Sequence, residues 1–310
     1  MSGREPWHGL GEVLESEPVA AGRYRRLVLQ APTVARLALP GQFVHVLCPA
    51  GAGAGAGLRR ADPPGRPFLR RPFSISEADP ASGSVTLLFR VKGAGTASLA
   101  AVRPGEVLDI VGPLGGGPFP GAGGRPAVVV GGGIGVAPLP FLVETLLGGP
   151  GPADGPAHAP GGSGAGSDAG AAAASVRVLA GVAEGRDLDL LEPLQRFEGR
   201  AEVRLATEDG APGTVKGPVT ALLGEALERA GEEAVVYACG PRAMLAAVRR
   251  LAVAAGVEAW LSVEERMACG VGACRGCAVK VKGDPPYRLV CRDGPVFQAA
   301  VLDLEEGEEP

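Results

Sequence analysis

Four cysteines near the carboxyl end restrict what this chain can fold into more than any other feature. Cys269, Cys274, Cys277 and Cys291 form C-x4-C-x2-C-x13-C, the C-x4-C-x2-C arrangement of plant-type [2Fe-2S] ligation. Three sulfurs within nine residues require the backbone to wrap tightly around one object. Gly270, Gly272 and Gly276 are placed to allow that, through positive φ and close amide approach. Amides directed at sulfur also stabilise a reduced, more negative cluster. The competing reading is structural zinc, which normally takes two separated Cys pairs around a tetrahedron. Cys48 and Cys239 lie far away in sequence, and Cys48, in the apolar stretch 44–48, reads as a buried inert thiol.

A chain of 310 residues exceeds the usual limit of a single core, so two or three domains are expected. Its 50 glycines and 29 prolines are concentrated in residues 50–67, 112–126, 131–140 and 148–175, and 46% of the chain is hydrophobic. The composition is thus that of a folded protein with local Gly/Pro tracts, not of a disordered one. The net charge of -4 owes most to the acidic tail 303–310, so no nucleic-acid partner is expected. The first twenty residues carry Arg4, Glu5, Glu12, Glu15 and Glu17 without an apolar core, which argues against a signal peptide. The uncharged run 127–143 holds four glycines and two prolines and does not read as a membrane span. A cytoplasmic location is the expectation, with the cysteines as ligands or free thiols.

Short β runs at 23–29, 41–47, 84–91 and 106–111 predict a small antiparallel barrel over residues 1–112. Apolar β runs at 127–130, 176–182, 201–206 and 234–238 alternate with helical stretches such as 137–147 and 242–255. They predict a parallel α/β domain over 113–256. Residues 148–175 read as a flexible insertion in it, and 257–302 as a small third module.

Two loops of the α/β part have binding chemistry. Gly131, Gly132, Gly133, Ile134 and Gly135, followed by Pro138, make a strand, glycine turn and helix start. Such a turn either admits a pyrophosphate at a helix N-terminus or is simply tight. It departs from the usual dinucleotide fingerprint, since counting from Gly133 the third glycine position is Pro138. Cys239, Gly240 and Pro241 form a second loop between strand and helix, and both loops are expected at carboxyl ends of strands, where ligands bind. In the barrel, Arg70 to Ser76 place two cations beside two hydroxyls. That set can serve a pyrophosphate, but on local chemistry alone it reads better as an exposed β-edge with arginine for solubility.

In this order Arg71-Pro72-Phe73-Ser74, Gly95-Thr96, Gly131 to Pro138 and Cys239-Gly240-Pro241 resemble the ferredoxin–NADP reductase superfamily. The cysteine stretch, with Glu264-Glu265-Arg266-Met267 before it, is similar to the electron-transfer subunits of NAD-dependent dihydroorotate dehydrogenases. The resemblance implies a flavin-binding barrel, a nicotinamide-binding α/β domain and an iron–sulfur module, with one FAD, one [2Fe-2S] cluster and NAD as acceptor. Arg71, Pro72, Phe73 and Ser74 take the positions of the Arg-x-Tyr-Ser flavin motif, with Phe for Tyr. Leu88, Phe89 and Arg90, with Gly95 and Thr96, match the remaining flavin contacts, and Cys239 matches a position bordering the nicotinamide. Glu208-Asp209-Gly210 match a further family stretch or make a solvated turn.

The resemblance also implies an FMN-containing partner that oxidises dihydroorotate, in a heterotetramer of two plus two that serves pyrimidine synthesis. Electrons would enter through the cluster, load FAD twice and leave as hydride to NAD+. The chain has no room for the partner's own (β/α)8 barrel, which takes ~250 residues. Alternatives are a subunit of an NAD(P)H:ferredoxin, sulfide dehydrogenase or hydrogenase complex, a non-catalytic redox sensor, and a zinc-stapled module.

Overall fold

The structure, a computed structural model, describes residues 6–50, 67–149 and 171–304. The Gly/Ala run 51–57, most of the expected insertion and the end of the acidic tail lie outside the described residues.

Alternating strands from the amino-terminal part close into a six-stranded antiparallel barrel. They are β1 (Trp7–Val19), β2 (Tyr24–Gln30), β3 (Phe43–Val46), β4 (Arg71–Asp79), β5 (Ser84–Arg90) and β6 (Val107–Leu114), in the order β1-β2-β5-β4-β3-β6. Closure leaves no open edge. Leu27, Leu29, Val44, Val46, Ile75 and Leu87 fill the interior, with every second residue inward as the strand period requires. The sequence reading lacks β1 and β4. Alternating charges obscure β1, and Pro72 disguises β4. Arg71 to Ser74 pair with β3, so they are not an exposed edge. The expected boundary at residue 112 also falls inside a strand: β6 continues through Gly112 and Pro113 to Leu114, which pairs with Phe43.

The second part holds β7 (Ala127–Gly132), β8 (Val176–Val182), β9 (Glu202–Thr207), β10 (Val215–Lys216), β11 (Val235–Cys239) and β12 (Glu258–Ser262). A small hairpin of β13 (Ala278–Lys280) and β14 (Tyr287–Leu289) follows, and β15 (Val296–Gln298) returns to the sheet. The sheet order is β10-β9-β8-β7-β11-β12-β15, parallel except for the antiparallel β15. Its two faces have separate cores. Val128, Val130, Val236 and Ala238 pack on one side with helices Leu223–Ala230 and Arg242–Ala254. Ala127, Val129, Val235 and Tyr237 pack on the other with helix Leu139–Leu146. Strands covered on both faces must be apolar at every position, which is why these runs read as continuous.

The expected module boundary at 257 differs from the sheet: β12 pairs in parallel with β11 throughout, and β15 continues its edge. The cysteine region is therefore an excursion between two strands of the α/β sheet. It also docks on the barrel's exit, where Gly116 N–H donates to Arg292 O at 3.1 Å and Gly117 N–H to Gly294 O at 2.8 Å. A Cβ on Gly117 would lie 2.8 Å from Val296 O, so this glycine is set by backbone-to-backbone packing. Barrel and sheet are further joined by the ion pairs Arg23–Asp187 and Arg196–Glu77, the latter at 2.5 Å.

Candidate functional site

The chain leaves β12 and runs without regular structure to Cys277. Gly270 (φ 71°) and Gly272 (φ 82°) take the left-handed turns expected of them. The third such turn falls on Arg275 (φ 58°) and not on Gly276, a conformation that costs a non-glycine residue about 1 kcal/mol. Beyond Cys277, hairpin β13–β14 pairs Ala278 with Leu289 and returns the chain, so Cys277 Sγ and Cys291 Sγ lie 3.2 Å apart. Asp293 accepts the Leu289 N–H at 2.7 Å and fixes the short helix that carries Cys291.

The sulfurs receive backbone donors: Gly272 N–H to Cys291 at 3.2 Å and Cys274 N–H to Cys269 at 3.4 Å. Burial opposes ionisation of Cys269, yet the amides of Cys274, Val271 and Ala273 outweigh it and bring the thiol down to about 7. Burial and the neighbouring Cys277 sulfur push Cys291 up. Cys277 and Cys291 are 2% and 3% exposed, whereas Cys274 is open to solvent. Among the described residues no three His, Cys, Asp or Glu side chains converge on one ion. Cys277 lies against Cys291 and Cys274 against Cys269, with Cys269 also within electrostatic reach of Cys291, an arrangement that fits a cluster of two irons.

On the barrel, Arg70 and Arg71 behave differently. Arg70 is tied to Asp109 at 2.8 Å. Arg71 donates to the carbonyls of Leu69 (2.8 Å) and Arg70 (3.3 Å), and pairs with no carboxylate among the described residues. A Cβ on Gly95 would lie 3.4 Å from Arg71 Nε and 3.3 Å from the buried Cys48 sulfur, so the fold brings the arginine to the start of helix Ala94–Ala100. This cation beside backbone amides fits a pyrophosphate. Thr96 is occupied locally: its Oγ1 accepts the N–H groups of Lys92 and Gly93 and donates to Gly93 O.

Phe73 and Phe89 pack with tilted rings, centroids 4.9 Å apart, inside the barrel, 8% and 2% exposed. The expected aromatic face of Phe73 is therefore turned into the core. There the hydroxyl of a tyrosine would need a buried partner, which gives a reason for phenylalanine. Ser74 and Pro72 lie on the strand's other face, Leu88 packs against the α/β domain, and Arg90 is exposed.

The two loops of the sheet meet as expected, at carboxyl ends of adjacent parallel strands, where Cys239 is the register partner of Gly131. Their glycines serve two purposes. A Cβ on Gly135 would be 2.5 Å from Gly240 N, one on Gly132 2.5 Å from Met244 Sδ, and one on Gly131 2.6 Å from Leu139 Cδ1. These three are packed by protein. Gly133 has φ 53° and open space on its Cβ side, which leaves room for a phosphate. Ile134 and Pro138 lead into helix Leu139–Leu146, and Pro241 caps Arg242–Ala254.

Cys239 is buried opposite Ser262, and burial, reinforced by Glu264, raises its pKa, so it stays a neutral thiol. Burial among protein atoms also raises Glu264, although part of its side chain meets solvent. Glu265 reaches Arg242 at 3.9 Å and ties the cysteine segment to the second loop. Asp209, in the turn after β9, accepts the Gly185 N–H at 2.8 Å, which lowers its pKa.

His45 is a residue to which the sequence reading assigns nothing, though a lone imidazole in the apolar run 43–48 was the available signal. It is 1% exposed, and a Cβ on Gly270 would fall 2.6–2.9 Å from three atoms of its ring. Burial, then the charge of Arg70, lowers its pKa from 6.5 to about 4. The unfolded chain takes up this proton first, so the stability is complete above about pH 6.5 and declines as pH falls toward 4. Denaturant unfolding should show a loss of roughly 2 kcal/mol between about pH 7.5 and pH 5 from this residue, absent in His45→Phe.

The comparisons agree with this geometry. Residues 264–303 match the family model for the iron-sulfur cluster binding domain of dihydroorotate dehydrogenase B. The chain is 37% identical over 296 residues to the dihydroorotate dehydrogenase B (NAD(+)) electron transfer subunit of Geobacillus sp. (strain WCH70), covering 94% of this chain and 97% of that one. It is 36% identical over 262 residues to that of Caldanaerobacter subterraneus subsp. tengcongensis, covering 84% and 85%. Among solved structures, the NADH-dependent reduced ferredoxin-NADP oxidoreductase superposes with TM-score 0.72 at 24% identity, covering 98% of this chain and 92% of that one. The ferredoxin reductase of carbazole 1,9a-dioxygenase superposes with TM-score 0.58 at 19% identity, covering 81% and 67%; both likenesses concern the fold. With relatives 36–37% identical over 84–94% of its length, the chain belongs to the family of dihydroorotate dehydrogenase B (NAD(+)) electron transfer subunits.

Proposed function

We propose that this chain carries electrons from a dihydroorotate-oxidising, FMN-containing partner subunit to NAD+, in the synthesis of UMP. Cys269, Cys274, Cys277 and Cys291 hold the [2Fe-2S] cluster. Arg71, Pro72, Phe73, Ser74, Leu88, Phe89, Arg90, Gly95 and Thr96 form the FAD site, with Phe73 and Phe89 contributing through backbone and shape. Gly131 to Gly135, Pro138, Gly240 and Pro241 form the NAD site, bordered by Cys239. One observation supports this most: the loop bearing Cys269 packs on β3, whose neighbour β4 carries the Arg71 to Ser74 motif. Two redox sites thereby share one wall.

When bound, FAD supplies the exchange between one-electron chemistry at iron and hydride chemistry at nicotinamide. The protein's own contribution is placement. Arg71 provides a fixed charged donor for phosphate, Gly133 leaves room for a second phosphate group, and amides at Cys269 and Cys291 favour anionic sulfur. The neutral Cys239 thiol offers a small, polarisable border without competing for a proton.

The test is anaerobic co-expression with the partner, followed by dihydroorotate-dependent NADH formation and measurement of flavin, iron and sulfide. A two-plus-two complex with FMN on the partner and FAD on this chain supports the reading. A larger iron–sulfur partner without dihydroorotate activity sinks it in favour of a ferredoxin, sulfide or hydrogenase complex, and a chain that binds neither FAD nor NADH leaves the redox sensor. Arg71→Ala should retain FAD roughly 10- to 100-fold less tightly, as loss of a charge-assisted hydrogen bond implies. Arg71→Lys should restore only part of this, because lysine lacks the planar fork; flavin content after gel filtration measures both. A cytoplasmic location accords with the absence, among the described residues, of a helix long and apolar enough to cross a membrane.

A further inference from the structure

His45 lies where the barrel meets the cysteine loop, and none of the described residues uses its polar atoms. Val44 and Val46, on either side of it, point into the barrel core. His45 and Phe43 therefore project outward, with ring centroids 5.8 Å apart. Across the ladder His45 is the register partner of Pro72 in β4 and of Val111 in β6. Over it sits Gly270, so close that a Cβ there would be 2.6 Å from Cε1, 2.8 Å from Nδ1 and 2.9 Å from Nε2. The imidazole is thus clamped between the flavin-motif strand and the residue next to Cys269.

Among the described residues neither ring nitrogen has a hydrogen-bond partner, and the ring is 1% exposed. A neutral imidazole has one N–H donor and one acceptor nitrogen. Leaving a buried donor unpaired costs roughly 1–3 kcal/mol, and such groups are rare in folded proteins. An apolar residue of similar size would fill the same gap without that penalty, so an imidazole here points to an acceptor that arrives with a cofactor. Arg70 does not supply one, since its guanidinium has only donors and is committed to Asp109. The acceptors due at Gly270 are the sulfurs of the cluster.

We propose that the neutral imidazole of His45 donates its ring N–H to a sulfur of the iron–sulfur cluster on the Cys269 side, making a barrel residue a positioning and potential-setting element for that cluster. The inference rests on Cys269, Cys274, Cys277 and Cys291 being the cluster ligands. A donor to sulfur stabilises the reduced form, in which the cluster is more negative. Removing it lowers the cluster's midpoint potential and leaves that of the flavin in place.

The experiment uses the chain in complex with its partner, anaerobically reduced, with and without [15N]histidine. Pulsed EPR of the reduced cluster should show a nitrogen hyperfine coupling that changes with the isotope and vanishes in His45→Phe. Redox titration should show His45→Phe holding roughly tenfold less reduced cluster at a fixed potential, a shift of about 59 mV for a one-electron couple. His45→Gln, which keeps an N–H donor, should recover part of the shift. The labelled unsubstituted protein needs no variant to fold, so absence of a histidine coupling there overturns the proposal. So does an unchanged cluster potential in His45→Phe, or a shift confined to the flavin, which would make the flavin the acceptor. A chain that assembles no cluster even unsubstituted refutes the ligand assignment instead.

Discussion

Cys277→Ser is expected to abolish transfer from the partner to NAD+ while leaving NADH-dependent flavin reduction nearly intact. Cys277 is 2% exposed and its sulfur is 3.2 Å from that of Cys291. An oxygen at that place is a shorter, harder donor, ill suited to an iron–sulfur cluster. Water cannot readily enter to replace it, and Cys291 loses the neighbour with which it would share an iron. The dihydroorotate-to-NAD+ rate should fall at least ~100-fold, the upper end of what even outer-shell losses cost metal sites. Iron and labile sulfide should fall with it. Reduction of bound FAD by NADH uses the barrel and the glycine loops and should change less than about threefold, since those sites are built from other residues. The comparison of the two rates is decisive: a variant that keeps its iron and its full physiological rate removes Cys277 from the ligand set.

Two glycines of one loop should respond in opposite ways. In Gly135→Ala the new carbon would sit 2.5 Å from Gly240 N and 2.6 Å from the carbonyl carbon of Cys239. Both are backbone atoms at the end of β11, so relief requires separating two adjacent parallel strands at their carboxyl ends. Overpacking of this kind costs roughly 3 kcal/mol. A displacement near 1 Å at the nicotinamide loops should lower NADH-dependent flavin reduction ~100-fold. Gly133→Asn places a side chain in open space in a conformation asparagine tolerates. Its stability should change by less than about 1 kcal/mol, but the side chain intrudes where pyrophosphate would lie and should raise the KM for NADH. Chemical denaturation and NADH titration of both variants separate the two roles. If Gly133→Asn binds NADH normally, the loop is a tight turn and nothing more.

The contrast between these glycines shows how much of the site is legible in a linear sequence. Gly131 to Gly135 read alike there, as a run able to approach phosphate. Only the packing of Met244, Leu139 and Gly240 against them separates those that fit protein from the one facing open space. The same holds for Phe73. Its motif position implies an aromatic face for a ligand, yet the strand's alternation turns the ring onto Phe89 inside the barrel. Arg70 and Arg71 are adjacent and chemically identical, and Asp109, 39 residues away, decides which one remains for a ligand.

By itself the sequence determined the chemistry of the cysteine segment, the presence of a barrel before a parallel α/β sheet, and the placing of two loops at carboxyl strand ends. These follow from local spacing, from periods of two and 3.6, and from turn residues, none of which needs a distant partner. The tertiary structure alone decided that the cysteine module is inserted between strands of the sheet, that the barrel needs β1 and β4 to close, and that His45 lies against Gly270. Those are non-local facts. They depend on which surfaces meet when residues far apart in sequence are packed together, and a one-dimensional pattern does not carry that information.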